Sequence, residues 1–303
     1  QRLVKLLLKQ QQLSYLFQTN PFLIFLKCTY NMINFKLLKV LICKFASVRR
    51  RALKKILEMN KTVIIIPSRM SAIRLKGKPL LEINNLPIIC HVVKRAKETG
   101  IGKVIVATEE KEILTAVKKN DGEAILTGNH KTGTDRIFEA FQKLKITDTE
   151  YVINLQGDEP MINPKDIINL NNLMIKNNSD IGTLASEIKE DSILNNENVV
   201  KVITEEKLED NKFTKALNFS RKNLSKQNSN IYHHIGIYAY KVSILEKFIN
   251  FNQTKNEVEN RLEQFRALDN NITIMVALAK SSPIGIDTKE DYIAIKKIME
   301  YKS

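Results

Sequence analysis

Residues 62–79 read TVIIIPSRMSAIRLKGKP. A β-branched run from Thr62 to Ile66 stops at Pro67 and hands over to a loop carrying Arg69, Arg74, Lys76 and Lys78, with Gly77 supplying backbone freedom. Five β-branched residues bounded by a proline read as a buried strand. The same punctuation recurs: strands are expected at 62–66, 103–107, 123–126, 151–155, 181–186, 199–203, 235–240 and 272–278. Helical spacing fills 87–97, 111–119, 135–144, 164–174, 242–249, 258–268 and 289–299. That alternation predicts an α/β fold, a mostly parallel mixed sheet in three layers with crossover helices on its faces. Ligands of such sheets bind beyond the carboxyl ends of the strands. The loops expected there are SRMSAIRLKGKP, ATEE, TGNHKTGTDR and QGDEP, after the first four strands in turn.

Composition permits this fold and narrows the function. The chain has 303 residues and a formal charge of +15, which on its own raises nucleic acid or an anionic membrane as partners. Of its 48 basic and 33 acidic residues, 12 and 1 lie before residue 59, leaving 36 and 32 for the rest. The excess therefore belongs to residues 1–58, with their Arg49-Arg50-Arg51 cluster, and no nucleic-acid partner is expected. The apolar runs of that leader are broken by lysines and fall short of a spanning helix. It is expected not to belong to the working protein, with Met59 as the natural start and 59–303 as a single domain; membrane contact is expected only if the leader is used. Cys28, Cys43 and Cys90 form no CxxC pair, so neither a disulfide framework nor a zinc site is signalled.

The motif-bearing loops suggest chemistry. The cations of the first loop suit a compact polyanion such as a nucleotide triphosphate, although the loop is not a Walker A sequence. YVINLQGDEP delivers Asp158 and Glu159 to a strand end, with Gly157 allowing close approach. One or two carboxylates plus phosphates and water are the usual company of Mg²⁺, and SPIGIDTKED offers Asp287 as the second. Either aspartate also suits a turn or a helix cap. HKTGTDR brings His130, Thr132, Gly133, Thr134, Asp135 and Arg136 to a helix start, where a base, ribose or phosphate is bound, or where a threonine simply caps. IYHHIGIYAY sets His234, Gly236 and Tyr238 on one face of a strand, and a core histidine is the plainer account of His234. Arg221 of FSR, and Glu263 and Gln264 of LEQFRAL, are able to read a polyhydroxylated acid; a charged helix face also explains the latter string.

Taken in order, IPSRMSAIRLKGKPL, VATEE, HKTGTDR, NLQGDEP, NVVKV, ALNFSR, HHIGIYAY, LEQFRAL and GIDTKED resemble the 3-deoxy-manno-octulosonate (KDO) cytidylyltransferases of lipopolysaccharide biosynthesis. The resemblance covers about residues 61–303 and implies the nucleotide-diphospho-sugar transferase fold, glycosyltransferase-A-like. It implies transfer of CMP from CTP to KDO with Mg²⁺ as cofactor, in a cytoplasmic homodimer. Arg69, Arg74 and Lys78 then match triphosphate-binding cations, Asp158 and Asp287 metal ligands, and Gln156, Arg221, His234, Tyr238, Glu263 and Gln264 sugar-acid contacts. Two features depart from the family. Lys76 stands where it usually has proline, and RKNLSKQNSN (221–230) is short and polar where it carries a longer insertion. A cytidylyltransferase for another acidic sugar, such as sialic acid, is the same-fold alternative; a non-catalytic nucleotide-binding protein is the alternative of another class.

Overall fold

The computed structural model of the chain describes residues 61–71, 74–222, 230–283 and 285–301. The leader with Met59, and residues 223–229 of the short polar segment, lie outside the described residues. No described helix is long and apolar enough to cross a membrane.

Strand β1 (Thr62–Ser68) lies between β4 (Gly102–Thr108) and β6 (Tyr151–Asn154), parallel to both, and β5 (Glu123–Leu126) extends this block beyond β4. The alternation within β1 makes the layers. Ile64 and Ile66 face one side, packed with Ile89, Val92 and Val93 of α1 (Ile88–Glu98) and Ile167, Leu170 and Met174 of α4 (Pro164–Asn177). Val63 and Ile65 face the other, with Ile137 and Ala140 of α3 (Gly133–Leu144) and Leu245 and Phe248 of α6 (Val242–Asn250). All four β1 side chains are at most 1% exposed, so the strand is buried on both faces. Helix α2 (Lys111–Lys119) is the crossover between β4 and β5.

Beyond β6 the sheet turns mixed. Strand β10 (Ile231–Lys241) runs antiparallel to β6, to β7 (Ile181–Ser186) and, through its first residues, to β8 (Lys201–Thr204). Strand β11 (Ile274–Leu278) is parallel to β7 and antiparallel to β9 (Phe213–Ser220), which pairs with β8. The ladders β10-β7-β11-β9-β8-β10 thus close a ring on one side of the parallel block. Register slips between Ile235 and Tyr238, where Thr183 Oγ1 donates to the Ile237 carbonyl at 2.7 Å. This bulge re-aims the middle of β10.

Several local features differ from the sequence expectation. The expected helix 258–268 is two short helices, α7 (Lys255–Asn260) and α8 (Phe265–Asp269), because Arg261 takes the left-handed conformation (φ 53°) and ends the first. Strand β9 was not expected: its solvent-facing Lys215 and Asn218 dilute the apolar signal, and only alternate residues such as Thr214 and Ala216 are buried. A small hairpin, β2 (Glu82–Ile83) and β3 (Leu86–Pro87), turns through Asn84 and Asn85, both at positive φ, as a two-residue hairpin turn requires. The remaining helices are α5 (Asp191–Leu194) and α9 (Lys289–Tyr301).

Candidate active site

Because β5, β4, β1 and β6 are parallel, the loops after them emerge at one edge of the sheet. They surround a cleft of about 430 Å³ lined by Arg69, Arg74, Lys78, His130, Thr132, Gly133, Arg136, Gln156, Gly157, Asp158 and Asp287. Ten of the expected site residues are therefore brought together by the loops after β1, β5 and β6 and the segment before α9.

The β1 loop is shaped by its own sequence. Gly77 at φ 69° caps a short 3-10 turn (Lys78–Leu80), and Glu110 of the ATEE turn accepts the Met70 N–H at 2.8 Å and the Thr108 hydroxyl at 2.8 Å. Glu109 pairs with Arg136 at 3.2 Å. Arg69 and Arg74 are exposed at the mouth, whereas the Lys78 side chain is only 13% exposed. Its ammonium lies 2.6 Å from Asp158 Oδ2 and 3.2 Å from Asp287 Oδ1, and Arg74 reaches Asp287 Oδ2 at 3.0 Å. Lys76 is exposed and pairs with no described residue; nothing in the structure explains the cation at that position.

Asp158 and Asp287 are held together by the backbone as well, since the Ile286 N–H donates to the Asp158 carbonyl at 3.0 Å. Upstream, the buried Asp166 carboxylate accepts the Lys280 and Ser281 N–H groups, anchoring the segment that leads to Asp287. Downstream, Asp291 accepts the N–H groups of Asp287 and Thr288 at the start of α9. Glu159 turns away into the core, 8% exposed. Burial, then the charges of Asp158 and Asp287, push its carboxyl up to about 8. Gly157 is tightly packed: an added Cβ would stand 3.0 Å from the Pro67 carbonyl oxygen and 3.2 Å from Ile89 Cδ1.

Helix α3 divides the HKTGTDR residues between two tasks. Thr132 caps the helix by accepting the Asp135 N–H, and its hydroxyl donates to the Asp135 carboxylate at 2.9 Å, so Asp135 serves the cap. His130 is hydrogen-bonded to Glu139, which also takes the Gly128 N–H and Lys143. Burial would raise that carboxyl, but the bonds from Lys143, His130 and Gly128 prevail and hold it at about 2. Arg136 is 2% exposed and donates to Thr127 Oγ1 at 2.7 Å. Thr134 points away from the cleft, donating to Glu263 Oε2 at 2.7 Å.

Thr134 thereby links the cleft to the second group of expected residues. Gln156 Nε2 donates to the Gly236 carbonyl at 3.0 Å, beside the β10 bulge. His234 and Tyr238 pack ring to ring, with centroids 5.4 Å apart, and Tyr240 stacks on Tyr238. His234 is buried, bonded to Thr183 Oγ1 at 3.0 Å and lowered to about 3 by burial, then by His233 and Arg221, so its ring is neutral. The Tyr238 hydroxyl and Glu263 Oε1 are buried without a hydrogen-bond partner. Burial raises the Glu263 carboxyl. Gln264 is buried at the N-cap of α8, and Arg221 stands at the end of β9 with its guanidinium on the Asn198 carbonyl at 3.1 Å. Sequence reading passed over Glu109, Glu110, Glu139 and Asp166, which hold the cleft-lining side chains and the segment before α9 in place. Such roles depend on partners distant in the chain; VATEE alone carried a local signal, two acids at a strand end.

The sequence profile of the Cytidylyltransferase family matches residues 63–274. A relative from Bartonella tribocorum (strain CIP 105476 / IBS 506), named 3-deoxy-manno-octulosonate cytidylyltransferase, is 41% identical over 240 residues, 78% of this chain and 98% of that protein. One of the same name from Nitrobacter winogradskyi is 41% identical over 242 residues, 79% of this chain and 94% of its own. Among solved structures, CMP:2-keto-3-deoxy-manno-octonic acid synthetase complexed with CTP superposes with a TM-score of 0.73 at 33% identity, covering 80% of this chain and 100% of that one. UDP-glucose pyrophosphorylase complexed with UDP-glucose, at 16% identity and a TM-score of 0.58 over 80% of this chain and 99% of its own, shares the fold alone. The fold is that of the nucleotide-diphospho-sugar transferases, and the chain belongs to the cytidylyltransferase family.

Proposed function

We propose that the chain transfers CMP from CTP to KDO, giving CMP-KDO and pyrophosphate. The observation that carries this reading is the Lys78 ammonium resting between Asp158 and Asp287 in a cleft whose mouth holds Arg69 and Arg74. Two carboxylates converging on one cation make a donor set that suits Mg²⁺, which takes one or two carboxylates and completes its shell from phosphates and water. Asp158 and Asp287 would hold it. When bound, Mg²⁺ supplies positive charge at the phosphates and lowers the pKa of an attached hydroxyl.

The protein's own residues do the rest. In the reaction the anomeric oxygen of KDO bonds to the α-phosphorus, the bond from that phosphorus to the pyrophosphate breaks, and the hydroxyl proton is lost. Arg69, Arg74 and Lys78 bear on the charge that builds on the leaving pyrophosphate, as fixed cations in a cleft do most effectively. His130, Thr132, Gly133 and Arg136 line the nucleotide side. Gln156, Arg221, His234, Tyr238, Glu263 and Gln264 form the sugar-acid side, where the Tyr238 hydroxyl has no hydrogen-bond partner and Glu263 Oε1 meets only the Arg266 guanidinium, at 3.6 Å. Orienting the two substrates for in-line attack is itself a large part of such catalysis. A homodimer in the cytoplasm belongs to the same reading; sedimentation tests the assembly.

The decisive assay incubates the chain with CTP and Mg²⁺ and either KDO or sialic acid, and follows pyrophosphate and the CMP-sugar. Turnover is expected with KDO. Turnover with sialic acid alone would replace the substrate, and CTP binding without turnover on either would favour the non-catalytic reading. Asp158→Asn is expected to lose about a hundredfold in turnover, about 2.7 kcal/mol of transition-state stabilisation.

A further inference from the structure

Lys201, from the NVVKV stretch, is one of the largest fully buried side chains described, at 0% exposure in β8. Lysine is seldom buried unless an opposite charge compensates it. Here its ammonium donates to two main-chain carbonyls, Asn196 at 3.0 Å and Arg221 at 2.9 Å. Arg221 in turn donates to the Asn198 carbonyl at 3.1 Å and the Glu197 carbonyl at 3.5 Å. Two cations are thus clamped to one turn, 196–198, and among the described residues neither has a carboxylate as an ion-pair partner. Glu197 acts on Lys201 only through space. The neighbouring imidazoles add no compensating charge. His233, which pairs with Lys201 across the β8–β10 ladder, is bonded to Ser282 Oγ at 2.9 Å and lowered by burial and then by the Lys201 charge. His234 is lowered by burial, His233 and Arg221. Holding a turn in place would not need a buried charge; a neutral donor would serve. Two adjacent cations with no carboxylate in contact among the described residues describe a place suited to an anion.

We propose that Lys201 is a positioning residue for the sugar acid: it fixes Arg221 through its main-chain carbonyl and stands behind it as a second positive charge toward the substrate carboxylate. This rests on the reading of Arg221 as a sugar-acid contact.

Steady-state kinetics with KDO and CTP test it in Lys201→Met, Lys201→Gln, Lys201→Arg, Arg221→Ala and the Lys201→Met/Arg221→Ala double variant. Lys201→Met is expected to raise KM for KDO at least about tenfold while KM for CTP changes less than about twofold. Lys201→Gln, which keeps two donors but no charge, is expected between Met and wild type, and Lys201→Arg close to wild type. In the Arg221→Ala background Lys201→Met is expected to add less than about threefold, because residues acting as a unit are not additive. The proposal is overturned by an unchanged KM for KDO in the Met or Gln variant, or by equal loss on both substrates with a lower Tm. Full additivity with Arg221→Ala, or Arg no better than Met, overturns it as well. If Met does not fold, the Gln and Arg variants decide. An unchanged KM for KDO in Arg221→Ala alone would instead sink the sugar-acid reading of that arginine.

Discussion

At Tyr238 a single atom tests function against stability. Its hydroxyl is buried without a partner, and an unmet buried polar group costs about 1–3 kcal/mol. Tyr238→Phe is therefore expected to leave Tm unchanged or raise it, while KM for KDO rises; a fall in Tm with unaltered KM would contradict the assignment. His234 makes the complementary case. The ring is held neutral, with a folded pKa of about 3 against 6.5 when free, so below pH 6.5 the unfolded chain binds the extra proton and stability falls as pH falls. From pH 6.5 to 5 the loss from this group is about 2 kcal/mol. Denaturant titrations of wild type and His234→Gln across that range check it: the variant's curve should be flatter by that amount. The plainer sequence account of His234, a core histidine with a satisfied hydrogen bond, describes its environment. What the sequence could not convey is its setting, since Thr183, Phe219 and Tyr238 meet it only through the β10 ladders and the bulge. Lys78 shows the same limit: the loop announced a cation, but its bridge to carboxylates 80 and 209 positions away is a product of the fold.

Elements were legible where periodicity was strong and illegible where polar residues carried the structure. The buried runs of β1, β4, β6 and β7 announced themselves. Strand β9 did not, because exposed residues at 215, 217 and 218 interrupt its apolar run. The LEQFRAL string had helical spacing, yet the left-handed Arg261 breaks it and lets Glu263 turn toward Thr134. The break is held by a buried pair: Arg266 is 4% exposed, donates through Nε to Glu257 Oε2 at 2.8 Å, and lies 4.9 Å over the Phe248 ring. Glu257 is also the acid of a capping box with Thr254. Removing one partner of such a pair strands the other, so Glu257→Ala is expected to cost about 3–5 kcal/mol by chemical denaturation. A cost below about 1 kcal/mol would show that the pair is not what holds α7 to α8. Gly157→Ala tests the close approach of β6 and β1. Its Cβ meets backbone, which cannot swing aside, so a loss of about 1–3 kcal/mol and a higher KM for CTP are expected.

Across the whole molecule, one sheet serves two chemistries. In the proposed function the strand ends of the parallel block take the nucleotide, and the mixed ring carries Arg221, His234 and Tyr238 for the sugar acid. The α/β class followed from alternation alone, because a strand buried on both faces needs helices on both. The ring's closure through β8 had no sequence signal, since pairing partners of antiparallel strands are not written in either strand. The bridge formed by Lys78 has a consequence for the order of events. On the proposed reading of Asp158 and Asp287 as the carboxylates that would hold Mg²⁺, the Lys78 ammonium occupies the same place, so a bound ion would displace Lys78 and free it for a phosphate, and a phosphate that claimed Lys78 would open the place to the ion. The two ligands are then reciprocal allies, each tightening the other by the same factor, as linkage demands. Lys78→Met should break that alliance: Mn²⁺, titrated by electron paramagnetic resonance without nucleotide, is expected to bind the variant more tightly than wild type, and CTP to lose its help. Weaker Mn²⁺ binding by the variant would refute the exchange.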